Sequence, residues 1–185
     1  MLRAAWFPVL LFAVAGPAAA QSTETKRDFL LNDIPSLAGY VVGEVCPGLM
    51  NGDVSLKDNV ALTELGFIAV QQPGTTAGNS GLVQMARSFG SHYLTVSGAL
   101  NSNCEVTVLG PQAVEALREM RVTALYLIGL DFEPDPAHSG PRDNGTVEAL
   151  KLQYASDGQI KAELVNGLAN DGTPSVSFHI KIEEQ

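Results

Sequence analysis

Hydrophobic positions along the chain fall into three regimes, and each predicts a different kind of element. Ala4 to Gly16 is an uncharged, largely apolar run behind the single charge of Arg3, and Ala18-Ala19-Ala20 follows it. A run this short falls below the roughly 20 residues that cross a bilayer, and its A-x-A end is what a signal peptidase cuts. Residues 1–20 are therefore expected to be a signal peptide, and 21–185 a single mature domain with no stable membrane insertion. From residue 33 the spacing is helical. Asp33 is placed to cap a helix with Pro35 in its first turn and Leu37, Tyr40, Val41 and Val45 on one stripe. Pro47-Gly48, just past Cys46, should stop it. A second helix is predicted over 55–65: Ser55-x-x-Asp58 reads as a capping box, Leu56, Val60 and Leu65 face inward, and Gly66 ends the run.

From residue 67 the period drops to two. Strands are predicted over 67–71, 82–87, 93–98 and 104–109, with a Gly/Ser/Thr loop at 73–81 between the first two. Pro111 opens a third helix, with Val114, Leu117 and Met120 or Arg121 along one face. The stretch 124–132 is apolar on both faces and predicts a central strand. Segments 146–154 and 159–165 flank Ser156-Asp157-Gly158, a hairpin signal, because Asp-Gly supports positive φ. Over 175–182, Val176, Phe178, Ile180 and Ile182 alternate with Ser177, His179 and Lys181. Consecutive strands joined by short turns favour antiparallel pairing. The expected fold class is α+β: an antiparallel β-sheet with two or three short helices packed on one face.

Charge then narrows the partners. Removing the leader, whose only charge is Arg3, takes the formal charge from −9 to −10. Such an acidic surface repels phosphate backbones and anionic lipid heads, which argues against nucleic acid. Two cysteines remain, Cys46 and Cys104. In an oxidising compartment they are expected to form one disulfide. Closing that loop of 58 residues would restrict the unfolded chain by about 4 kcal/mol in the chain-entropy model. A helix ending at Cys46, the step Leu62-x-x-Leu65-Gly66-Phe67 and a strand opening at Cys104 resemble small exported bacterial proteins of unknown function. That resemblance implies no activity.

Candidate chemistry is sparse. Gly78-Asn79-Ser80-Gly81 is similar to the nucleophile loop of trypsin-like serine proteases, but no histidine precedes Ser80, and Leu82 stands where a second glycine belongs. Asp131, Glu133 and Asp135 lie two residues apart and are followed by His138, a composition that suits a ligand or metal loop. An EF-hand starting at Asp131 would need glycine at 136 and glutamate at 142, where the chain has Pro136 and Arg142. No phosphate-cradling or dinucleotide-binding glycine motif occurs. No catalytic, cofactor or metal residue is assigned from the sequence. The expectation is a non-enzymatic extracytoplasmic protein, periplasmic or secreted: an accessory or small-ligand-binding module that takes a small hydrophobic ligand or an envelope protein. Tyr40, Phe67, Phe89, Tyr93, Tyr126 and Tyr154 are its candidate cleft liners. The alternative is a hydrolase acting on an envelope or extracellular substrate, for which Asp131 and Glu133, or Ser80 and His92, would have to converge. A third expectation is partner binding along an exposed edge at 175–182.

Overall fold

The computed structural model describes residues 28–57, 59–70, 83–127, 132–153 and 158–184. The expectations about the leader, the loop at 73–81 and the Asp157 turn lie outside them. Helices are α1 (Ile34–Tyr40), α2 (Cys46–Met50), α3 (Val60–Glu64) and α4 (Ala113–Leu127). Strands are β1 (Ile68–Ala69), β2 (Val83–Phe89), β3 (His92–Ala99), β4 (Asn103–Leu109), β5 (Glu133–Pro134), β6 (Gly140–Arg142), β7 (Gly145–Gln153), β8 (Gly158–Leu168) and β9 (Pro174–Glu184). All nine form one antiparallel sheet in the order β1-β2-β3-β4-β9-β8-β7-β5, with β6 also pairing β7. The fold is α+β and mostly sheet.

Between α1 and α2 the helix continues through a π-turn at Val41–Val45, where the Cys46 N–H bonds Val41 O. Its cause is visible in the burial pattern. Ile34, Ala38, Val42, Cys46 and Met50 are all buried, at a strict four-residue step. A helix of 3.6 residues per turn would carry that stripe round by about 40° at each step. One wider turn absorbs part of the drift and keeps the stripe buried. The same turn explains why Pro47-Gly48 does not stop the helix as expected. Pro47 stands in the first turn of α2, right after the π-turn, where its missing N–H and bulky ring are accommodated. Asp33 does cap α1, its carboxylate accepting the Ser36 N–H at 2.8 Å.

Three further expectations are corrected. The second helix starts at Val60 rather than at Ser55: Asn59 caps it by accepting the Leu62 N–H at 2.9 Å, and Val60 points to solvent. The buried stripe of α4 is Ala113, Ala116, Met120 and Ala124, while Val114 is exposed. Gly39 lets α4 run close against α1, where a Cβ on it would stand 3.2 Å from Thr123 Oγ1. The predicted central strand over 124–132 is overturned at its start, because α4 continues to Leu127. That stretch has no β-branched residue between Ala124 and Leu127, and it simply extends the preceding helical period.

In register, Leu94, Val108 and Val176 lie side by side across β3, β4 and β9, as do Val96, Val106 and Phe178. All six are buried. Cys104 lies on this face and bonds Cys46, with Cα atoms 5.4 Å apart, joining α2 to β4. α4 packs against β9, β8 and β4. Near the helical residues 28–32, Arg87 donates to Leu31 O at 2.7 Å and lies 4.7 Å over the Phe89 ring, with Nη1 buried and unbonded. Ile182, expected inward, is partly exposed at the strand's end.

Candidate functional site

The sheet's second face follows from the same register, because side chains alternate across a strand. Residues on it come from β4, β9, β8 and β7, four neighbours that no sequence window places together. Glu105, His179 and Glu163 stand side by side across β4, β9 and β8. Two residues along, Lys181, Lys161 and Lys151 stand side by side across β9, β8 and β7, and Glu133 of β5 follows them. These are three of the five lysines in the chain.

Like charges directly opposite each other destabilise a sheet unless they are neutralised. Here Glu183 lies 2.6 Å from both Lys161 Nζ and Lys181 Nζ. Hydrogen bonds from Lys161 and then Lys181 hold its carboxyl down at about 2. The Glu183 hydrogen bond in turn raises Lys161, with the charges of Asp135 and Glu163 acting the same way. The lysine row is therefore embedded in matching carboxylates.

At the β7 end the acidic loop joins this face. Asp131 lies outside the described residues; Glu133 is exposed on β5. Asp135, read from the sequence as part of a ligand or metal loop, is buried at 5% exposure, and its Oδ2 lies 2.6 Å from His138 Nδ1. Burial pushes the Asp135 carboxyl up. The His138 hydrogen bond and charge, the Lys151 charge and the Ala137 N–H outweigh that and hold it below the usual aspartate range. Of the four loop residues, then, the structure brings Asp135 and His138 together. Among the described residues no group of three His, Cys, Asp or Glu side chains could hold a metal ion.

Nucleophilic chemistry fares no better on this face. His179 Nε2 lies 3.0 Å from Ser177 Oγ and 3.5 Å from Glu105 Oε1. A serine–histidine–acid relay needs the serine and the acid on opposite ring nitrogens, so this trio does not form one. Ser80 lies outside the described residues. His92 is occupied at the start of α4, where its Nε2 accepts the Gln112 N–H at 3.1 Å. That bond leaves Nδ1, 3.3 Å from Phe89 O, as the protonated nitrogen.

Among the described residues, the candidate aromatics are divided between the two faces of the sheet. Phe67 is fully in the core, Phe89 lies under Arg87, and Tyr93 is partly exposed on the second face. Tyr40 packs against the core cluster, its hydroxyl pushed up by burial and by Glu44. The side chains of Tyr126 and Tyr154 lie outside the description. Residues 175–182 belong to β9, which is paired on both sides by β4 and β8, so they form no free edge.

Fold and site together define a disulfide-bridged, mostly-sheet α+β domain with a charge-balanced polar sheet face. No protein-family model, curated protein or solved structure matches this chain.

Proposed function

We propose that this chain is a non-enzymatic extracytoplasmic binding module, exported to the periplasm or beyond after removal of residues 1–20. In this reading the helices form one layer on the sheet face that carries Cys104, and the opposite face receives the ligand. The observation that carries it is the paired rows: Glu105–His179–Glu163 beside Lys181–Lys161–Lys151, with Glu183 between two of the lysines. Balanced charge of both signs on one sheet face suits a small polar or zwitterionic molecule better than the hydrophobic ligand the sequence suggested. It suits a polyanion poorly, since every lysine already faces a carboxylate. A hydrolase is the weaker alternative: the one Ser–His–Glu trio on this face has both oxygens on the same ring nitrogen.

The test is native mass spectrometry and thermal shift of the mature protein against free amino acids, dipeptides and amino sugars. Binding should raise the melting temperature and be lost in Lys161→Met. A panel without a single mass adduct or thermal shift defeats the reading. The intact mass of the exported protein, with and without reductant, checks the cut before Gln21.

A further inference from the structure

We propose that residues 133–142 form a detachable strap over the outer edge of β7, held at Ala149 by Asp135 and Ser139. It opens as a unit while β7, β8 and β9 remain paired. β5 and β6 lie on the same edge of β7, the first through two residue pairs and the second through three. Each contains a proline, Pro134 or Pro141, which has no N–H to give. Between them the turn at 135–139 closes on itself, with the His138 N–H, the Ser139 N–H and Ser139 Oγ all bonded to Asp135 O.

Between the two short strands, the turn is fastened to β7 at Ala149. The Ala149 carbonyl accepts the Asp135 N–H at 2.8 Å, and the Ala149 N–H donates to Ser139 Oγ at 2.9 Å. Asp135 is the only buried residue from 133 to 142. Its carboxylate bonds His138 and the Ala137 N–H on the strap, and the charges of Lys151 on β7 and Lys161 on β8 act with it. Glu133 on the strap and Glu163 on β8 are the nearby like charges. By contrast, β7, β8 and β9 are joined by nine and eleven consecutive residue pairs. Regions with few buried contacts and many exposed hydrogen bonds open first. Opening would uncover the alternate backbone groups of β7 that point away from β8, Ala149 among them.

Residue-resolved amide exchange on the mature, oxidised protein tests this. The Ala149 amide should exchange about a hundredfold faster than those of Leu164 and Phe178 in the paired core. Asp135→Asn should speed exchange at Val147 and Lys151 by at least about tenfold and leave Leu164 and Phe178 unchanged. Ser139→Ala should do the same at Val147 and Lys151, which decides the matter if the first variant folds poorly. Equal protection of Ala149 and Phe178 in the wild-type protein overturns the proposal. So does a uniform acceleration at all sites in the variants, because the strap would then unfold only with the whole molecule.

Discussion

Gly98 stands directly across from Cys104 in the ladder, and the absence of a side chain there is what admits α2. A Cβ at this position would meet Asn103 O at 2.4 Å and Leu49 Cδ2 at 2.5 Å. One contact is backbone and the other a buried core side chain, so neither yields cheaply. Gly98→Ala is expected to lower stability by about 1–3 kcal/mol, read from urea unfolding under oxidising conditions. Glu183 makes a prediction in pH. The folded chain keeps it ionised down to about 2, while the unfolded chain titrates it in the ordinary glutamate range. Its contribution is therefore complete above that range and is lost as pH falls toward about 2. Asp135, also held low, adds a limb of the same sign. Glu183→Gln should make the acid limb of the stability profile shallower without abolishing it, as urea midpoints across pH would register.

The elements show where residue patterns decide structure and where packing does. Strict alternation located β3, β4 and β9 to within a residue or two, because a half-buried strand has only one way to divide its side chains. Asp33 located the start of α1 for an equally local reason. Val114 and Val60 misled, because large apolar residues attract an inward assignment that Ala116 and Leu62 in fact fill. α4 passes close to α1 where Gly39 meets Thr123 and Glu119, and no single window contains both partners. Gly39→Leu should push the two helices apart and cost about 1–3 kcal/mol, again by urea unfolding. Most of the candidate site was hidden for a related reason. Lys151, Lys161 and Lys181 are evenly unremarkable along the chain and become a row only once three strands are in register. Asp135 and His138, three residues apart, were within reach of a local reading, although burial of the carboxylate was not.

For the whole molecule, the bridge from Cys46 to Cys104 is the tie between the helical segment and the sheet. Replacing both cysteines by serine should lower stability by about 4 kcal/mol on the chain-entropy account, with urea midpoints compared between the variant and the oxidised protein. Removing one cysteine alone leaves a reactive thiol and is the poorer experiment. The salt link between Arg121 of α4 and Glu148 of β7, bidentate at 2.8 Å, also joins a helix to the sheet. Both groups are about half exposed, so it contributes little beside the bridge.

The widened turn at Val41–Val45 stores one surplus residue, and that gives the molecule an uneven tolerance to length. Excising the half-buried Gly43 would relax the segment into an ordinary helix and leave the thiol of Cys46 aimed at its mate. Excising Asn103 would invert β4 and swing Cys104 onto the opposite surface, since a one-place slip exchanges the two sides of a strand. Counting free thiols in the two shortened proteins should return none for the first and a pair for the second.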